Sequence, residues 1–340
     1  MSDQVPAPTT RTSRLLTMAL TRWQALILQW GRNRSIGLAY IIALVMFLVV
    51  TAYTPGFASP NHVRVLLIEA SFIGLVGLGQ TFVVLGGGVD LSIPWTLNAV
   101  AILVTVFADG QDSRLLWALP LVLVLAALVG LANGVGVAVF GVSPIIMTLG
   151  MNVIVEGALL IYMGSNQPQN SPAFITNLAI HRLGPIPYDT IFWAAITALA
   201  TILLTWTTFG RRLYAVGTSP TVTQFSGINV VPVIVASYVI SAVCAGLAGV
   251  VMAGYYDQAY LGMGDPYLFA SVAAVAIGGA PITGGSGHYL GTVAGALILT
   301  LLAGLLPILN LAQGWLNIIY GLAILATVGL ATMRFKGHEA

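Results

Sequence analysis

Charged side chains are so scarce in this 340-residue sequence that they limit the kinds of fold it can adopt. Asp, Glu, Lys and Arg together make up 6% of the residues, whereas hydrophobic residues make up 58%. A soluble domain carries about 25% charged residues, and a chain of this length with far fewer could not cover its surface in water. Lipid tolerates such a surface, so the composition predicts a polytopic integral membrane protein.

The apolar residues are grouped into segments about as long as a membrane-spanning helix, which needs roughly 20 apolar residues. Ten spans are predicted, at residues 36–53, 64–86, 91–108, 115–140, 144–164, 190–208, 229–252, 266–283, 288–306 and 313–333. Several are rich in glycine, so some helices are expected to be broken or re-entrant. The predicted fold class is an all-α membrane domain at 36–333, preceded by a cytoplasmic segment at 1–35 and followed by a short cytoplasmic tail at 334–340.

The distribution of basic residues predicts the orientation of these spans. Ten spans place the N-terminal segment, the loop at 209–228 and the C-terminal tail on one side. The basic residues on that side are Arg11, Arg14, Arg22, Arg32, Arg34, Arg211, Arg212, Arg334 and Lys336, and the other side holds Arg64, Arg114 and Arg182. Basic residues favour the cytoplasmic side, so both termini are predicted to be cytoplasmic. At residues 14–30, Leu, Ile and Trp recur at helical spacing, which predicts an amphipathic helix in the membrane interface.

Polar side chains inside the predicted spans are candidates for a solute path, because such groups are costly in lipid and usually face a cavity or a partner. They are Glu69, Gln80, Asn98, Asn133, Thr148, Asn152 and Glu156. The last three lie four residues apart and therefore share one helix face. Uncharged amides suit a neutral polyhydroxylated solute. Hydrogen bonding between helices explains the same residues, and both interpretations stay open.

Two glycine clusters follow apolar runs and are expected to interrupt helices. The motif residues are Gly87, Gly88, Asp90 and Ser92 in the first cluster, and Gly278 and Gly279 in the second. Non-helical backbone at membrane depth is tolerated where it is buried or lines water, and the two clusters are candidates for equivalent positions in an internal repeat. Asp90 is expected to cap the helix that follows it, and a role in gating is the alternative.

Catalytic and cofactor chemistry have no support in the sequence. The single lysine, Lys336, does not follow a glycine-rich phosphate-binding loop, so any use of ATP requires a separate ATPase chain. The single cysteine, Cys244, lies in an apolar stretch, and the four histidines lack metal-ligand spacing. The sequence therefore predicts a protein that is not an enzyme and holds no cofactor.

Four motifs, in order along the chain, carry a resemblance to a known family. They are Gly87-Gly-Val-Asp-Leu-Ser92, Val142-Ser-Pro-Ile-Ile-Met-Thr-Leu-Gly150, the loop from Thr207 to Ile228, and the glycine-rich segment from Ala273 to Gly287. Together they resemble the permeases of ATP-binding-cassette (ABC) importers for ribose and related simple sugars, a family related to branched-chain amino acid permeases.

The resemblance implies a permease subunit that translocates a small sugar or sugar-like solute across the bacterial inner membrane. Its implied partners are ABC ATPase subunits on the cytoplasmic loop, a second permease chain, identical or related, and a periplasmic or extracellular solute-binding protein. No nucleic-acid partner is expected. The loop positions that match the family are Thr207, Phe209, Gly210, Arg211, Tyr214, Ala215, Gly217, Ser226, Gly227 and Ile228. Of these, Phe209, Gly210, Arg211, Tyr214, Gly217, Ser226 and Gly227 are the candidates for docking the ATPase.

Some loop positions depart from the family pattern, namely Val222-Thr223 and Gln224-Phe225. Two alternatives stay open. The solute could be a branched-chain amino acid or a nucleoside, since related permeases share the fold. The protein could also be an ion-coupled secondary transporter in which Glu69 and Glu156 couple the ion to the solute.

Overall fold

The computed structural model describes residues 36–164 and 168–336, and within them the chain is almost entirely helical. The amphipathic helix predicted at 14–30 lies outside the described residues. The helices are α1 (Ile36–Tyr53), α2 (Pro60–Leu85), α3 (Ile93–Ala108), α4 (Asp112–Ala138), α5 (Pro144–Met163), α6 (Ala173–Ile180), α7 (Tyr188–Trp206), α8 (Thr208–Thr218), α9 (Pro220–Phe225), α10 (Val230–Tyr256), α11 (Tyr267–Ile277), α12 (Tyr289–Ile308) and α13 (Gly314–Lys336).

Seven of the described helices are long and apolar enough to cross a membrane: α1, α2, α4, α5, α7, α10 and α12. The apolar helices α3 and α11 and the apolar part of α13 are shorter. Each of the ten predicted spans corresponds to one of these ten helices, so the prediction of a polytopic helical membrane protein is confirmed.

Two of the membrane helices are interrupted at the glycine clusters. With a rise of 1.5 Å per residue, α3 is about 24 Å long and α11 only about 17 Å, compared with a hydrocarbon core of about 30 Å. Non-helical backbone precedes α3 at 86–92 and follows α11 at 278–288. The predicted span 266–283 is therefore too long, because Gly279 takes a positive φ of 86° and Pro281 follows it. The internal repeat stays a prediction.

The helix α10 lies at the centre of the bundle and packs against α2, α3 and α4. Glycines on α4 allow the close approach of α10, because a Cβ at Gly134 would lie 2.7 Å from the Cα of Val235. The helix α2 is buried along most of its length, whereas α1 and α5 are largely exposed. Their exposed side chains are mainly apolar, as expected for surfaces that face lipid or another membrane chain.

Local capping explains the turns between α7 and α10. The Thr207 hydroxyl accepts a hydrogen bond from the Gly210 N–H and begins α8, and the Ser219 hydroxyl accepts one from the Val222 N–H and begins α9. The Asn229 side chain accepts from the Val231 N–H and begins α10. Each cap satisfies a backbone donor that would otherwise lack a partner at a helix start.

At the opposite end of the bundle, the connection between α5 and α7 contains α6 and a short hairpin. The hairpin pairs β1 (Arg182–Leu183) with β2 (Ile186–Pro187) in antiparallel register. The helix α6 is held by α4, because the Phe174 N–H donates to the Asp112 carboxylate at 2.9 Å. Neither element was predicted from the sequence.

Candidate functional site

The two glycine clusters and the end of α8 meet at one point, which we call the glycine junction (residues 85–88, 217–218 and 283–287). The Gly285 N–H donates to the Leu85 carbonyl at 3.1 Å. A Cβ at Gly284 would lie 2.7 Å from the Cα of Gly87, and one at Gly217 would overlap the Leu85 carbonyl oxygen. The interrupted segments therefore contact each other and the loop that was predicted to be cytoplasmic.

Several loop residues that match the family hold α8 in place. The Phe209 ring stacks on Phe82 with centroids 6.3 Å apart, and the Tyr214 hydroxyl donates to the Gly287 carbonyl at 2.8 Å. Gly210 is buried where a Cβ would overlap the carbonyl oxygen of Leu204. These contacts fix α8 to α2, to α7 and to the segment after α11.

Other loop residues face away from the bundle and form a surface that we call the docking face: Arg211, Arg212, Val222 and Phe225. Both arginines are exposed, and the side chain of Phe225 is 88% exposed. The α9 helix ends at Ser226, whose hydroxyl donates to the Val222 carbonyl at 2.9 Å, and Gly227 follows with a φ of 80°. A large exposed aromatic side chain in a loop that also exposes two arginines is suited to contact another protein.

Asp90 is buried between α2 and α3; it binds α10 directly and is linked to α4 through Ser92. Its Oδ1 accepts from the Ser92 N–H at 3.0 Å and from the Ser92 hydroxyl at 2.6 Å. Its Oδ2 accepts from the Ser241 hydroxyl of α10 at 2.7 Å, and the Asn133 amide of α4 donates to the Ser92 hydroxyl at 2.8 Å. The prediction that Asp90 caps α3 is wrong, because Ser92 occupies the N-cap position. The Oδ1 atom of Asp90 accepts from Ser92 instead, and its Oδ2 atom accepts from Ser241 of α10.

The polar stripe on α5 begins at the buried Thr148 and continues through the partly buried Asn152 and Glu156. The Thr148 hydroxyl accepts from the Leu91 N–H at 3.0 Å, next to Asp90. Asn152 has a buried Oδ1 that lacks a hydrogen-bond partner among the described residues, and Glu156 is partly buried. Thr148 and Asn133 therefore support the segment before α3, and their place on a solute path stays a prediction.

Gln80 and Asn98 are fully buried amides on α2 and α3. In the part of the chain that the structure describes, neither the oxygen nor the nitrogen of these amides has a hydrogen-bond partner. A buried polar group without a partner costs roughly 1–3 kcal/mol. No hydrogen bond with another described residue offsets this cost. A place on the solute path therefore stays the prediction for both residues.

Glu69 and Glu156 both border the segment at 257–266, which joins α10 to α11 at the end opposite the docking face. The Glu69 carboxylate interacts electrostatically with Tyr256 and Tyr267, which lie on either side of that segment. Partial burial raises the pKa of Asp265 within the segment, and the Glu156 carboxylate raises it further. The structure thus places both glutamates near the same end of the bundle.

Several buried polar residues were missed by the sequence analysis. Asp189 is fully buried in the first turn of α7 and accepts from the Ser71 hydroxyl of α2 at 2.7 Å. Tyr289 accepts from the Trp193 indole N–H at 2.8 Å and donates to the Gly74 carbonyl at 2.8 Å. Asp189 lies at the edge of an apolar run, where a solvent-exposed position is the ordinary expectation, and the sequence carries no signal for its burial.

Interrupted helices that meet inside an otherwise apolar bundle are features of membrane transport proteins. The comparisons with known proteins agree. Residues 63–328 match the family described as the permease component of the branched-chain amino acid transport system, and the chain belongs to this family. It is therefore a multi-pass membrane protein and the permease component of a transport system.

Individual relatives align along most of the chain. The ribose import permease protein RbsC of Escherichia coli (strain K12) is 30% identical over 294 residues, which cover 85% of this chain and 91% of that protein. The D-allose transport system permease protein AlsC of the same strain is 32% identical over 303 residues, with coverage of 88% and 92%. The galactose/methyl galactoside import permease protein MglC of that strain is 26% identical over 314 residues, with coverage of 87% and 94%. No solved structure matches the chain.

Proposed function

We propose that this chain is the membrane permease of an ABC importer that carries a monosaccharide or a similar polyhydroxylated solute across the bacterial inner membrane. The observation that carries this proposal is the alignment of nearly the whole chain with permeases named for ribose, allose and galactose. Buried uncharged amides such as Gln80 and Asn98 suit a neutral solute. The family description favours branched-chain amino acids as the second candidate cargo.

The proposed energy source is a separate ATPase that binds the docking face. The full sequence lacks a phosphate-binding loop, so this chain requires a partner for ATP hydrolysis. Through the glycine junction, a displacement of α8 would act directly on the segments that interrupt α3 and α11. The proposed assembly contains two permease chains and an external solute-binding protein that delivers the sugar.

Purification of the tagged chain from its native host in mild detergent tests the partner assignment. An ATPase chain with a phosphate-binding loop is expected to co-purify. Phe225→Asp is expected to lower its recovery about tenfold or more, because a buried interface aromatic contributes roughly 2 kcal/mol or more. The matched control is Phe174→Asp, an exposed phenylalanine on α6 at the opposite end, which should leave recovery unchanged.

Uptake measurements test the cargo and the energy source. Right-side-out vesicles that contain the intact transporter should accumulate D-ribose, D-allose or D-galactose when loaded with ATP. Accumulation should persist when an ionophore collapses the proton and sodium gradients. ATP-driven uptake of leucine instead of the sugars would replace the cargo assignment, and uptake that needs an ion gradient but not ATP would replace the ABC assignment.

A further inference from the structure

A row of aromatic rings leads from the interior of the bundle to its surface at the end opposite the docking face. Phe72 on α2 is fully buried and contacts Tyr255 on α10, with ring centroids 5.6 Å apart. Tyr255 contacts Tyr256 at 5.1 Å, and Tyr256 contacts Tyr260 at 6.2 Å, both edge to face. Tyr256 and Tyr260 are 46% and 53% exposed, so the row ends on an accessible aromatic surface.

A carboxylate lies beside this row. Glu69 on α2 lies close enough for its charge to act on the phenols of Tyr255, Tyr256 and Tyr267. Its side chain is partly buried and forms no hydrogen bond with any residue that the structure describes. An ionisable group at this depth in a membrane protein usually serves a pathway or a ligand, and packing does not explain it here.

We infer that Glu69, Tyr256, Tyr260 and Tyr267 form an entry site that binds the transported monosaccharide before it passes between the helices. A carboxylate accepts hydrogen bonds from two sugar hydroxyls at once. Tyrosine rings cover the C–H faces of a sugar and offer hydroxyl groups at their edges. This inference rests on the proposed function, and it locates the contact with the solute.

The charges around the site favour a neutral polyol over an amino acid. A zwitterion would need a cation for its own carboxylate in addition to Glu69. The basic residue near the row is Arg64, which interacts electrostatically with Tyr255 and with the buried Asp189. Arg64 forms no ion pair with Asp189 among the described residues, and the groups assigned to the entry site are one carboxylate and three tyrosines, which present an acceptor and aromatic faces.

Uptake by the intact transporter tests the entry site. The probes are D-ribose, D-allose and D-galactose, in vesicles loaded with ATP and supplied with saturating amounts of the native solute-binding protein. Glu69→Gln is expected to lower the uptake rate about tenfold, because hydrogen bonds to a charged acceptor are lost. Tyr256→Leu and Tyr260→Leu are each expected to lower it roughly threefold to tenfold through lost ring contacts, while Tyr256→Phe keeps most of the rate.

The control is Tyr53→Leu, a tyrosine that is 85% exposed at the same end of the bundle, and it should transport at the wild-type rate. All variants should retain the wild-type recovery of the ATPase. Wild-type rates in Glu69→Gln and in both leucine variants would overturn the entry site while sugar import by the wild type stands. A wild-type transporter that takes up none of the three sugars would instead refute the proposed function. If Glu69→Gln fails to fold, the exposed Tyr260→Leu still decides the question.

Discussion

Asp90 shows how a single carboxylate can join three helices in a membrane. It is 1% exposed, and in the described part of the chain no cation lies beside it. Burial of such a charge costs several kcal/mol, and hydrogen bonds from the Ser92 N–H, the Ser92 hydroxyl and the Ser241 hydroxyl offset it. Because Ser92 also binds Asn133, Asp90 connects the segment before α3 with α4 and α10.

Removal of this carboxylate should destabilise the protein rather than alter its transport chemistry. Asp90→Ala leaves two buried hydroxyls without their acceptor, so we expect a loss of about 2–4 kcal/mol of stability. The measurements are the yield of monodisperse protein in detergent and its thermal unfolding midpoint. The control is Asp109→Asn, an exposed residue whose partner is Arg114 at 2.9 Å and which should change stability by less than about 1 kcal/mol. Normal yield and midpoint with abolished uptake would assign Asp90 to gating instead.

At this scale the sequence identified the residues but not their partners. Asp90 was recognised as part of a motif, but Ser241 lies 151 positions away, and no local periodicity relates the two. The helix-capping prediction failed for the same reason, since it considered only the residues that follow Asp90. Glu69 was selected because carboxylates are rare in spans, whereas the tyrosines around it come from α10 and α11 and became a cluster only in the folded chain.

At the scale of elements, α8 is the link between the docking face and the membrane interior. One end of the loop binds α7, because the Thr207 hydroxyl donates to the Leu203 carbonyl and Gly210 packs closely against Leu204. Tyr214 and Gly217 contact the interrupted segments directly. A rigid short helix with contacts of this kind transmits displacement better than a flexible connector does, because its side chains are already packed against the groups that must move.

A side chain that pushes α8 away from the other segments of the glycine junction should therefore uncouple ATP hydrolysis from transport. A Cβ in Gly217→Ala would overlap the Leu85 carbonyl and lie 2.5 Å from the Gly285 nitrogen, so α8 must shift. We expect the number of sugars imported per ATP hydrolysed to fall about tenfold, as a packing error of this size costs roughly 1–3 kcal/mol. Gly321→Ala on α13 is the control, because its Cβ would meet nothing within 4 Å. An unchanged ratio in Gly217→Ala would show that α8 does not transmit the motion.

Hydrophobic segments in the sequence predicted the number and order of the membrane helices because each is long and flanked by polar residues. Shorter elements gave weaker signals. The eight-residue helix α6 and the hairpin of β1 and β2 carry no periodicity that stands out from a loop. The predicted span ends at residue 283, six residues after α11 ends at Ile277. The prediction was too long because apolar residues such as Ala280 and Ile282 continue beyond the end of the helix.

At the scale of the whole molecule, the surfaces of the bundle differ in what they can contact. Exposed apolar side chains cover α1 and α5, which suits lipid and a second permease chain. One end carries the exposed docking face, and the other carries the proposed entry site. An importer with an external solute and a cytoplasmic ATPase requires that these two ends face opposite compartments.

Under the proposed function that requirement predicts the orientation of the bundle, and cysteine labelling tests the prediction. Cys244 is the single cysteine and is buried, so Cys244→Ala provides a background without thiols. Gln111 and Ser143 are exposed positions at the starts of α4 and α5, and neither side chain makes a capping bond, so cysteine is tolerated at both.

The distribution of basic residues predicts that a membrane-impermeant maleimide labels Gln111→Cys but not Ser143→Cys in intact spheroplasts. Inverted vesicles should give the reverse pattern. Labelling of Ser143→Cys from outside would place the docking face away from cytoplasmic ATP, and binding of the ATPase to α8 and α9 would then be impossible. Reaction of both positions from the same side would contradict the helical topology itself, because α4 alone separates them and is long enough to cross the membrane.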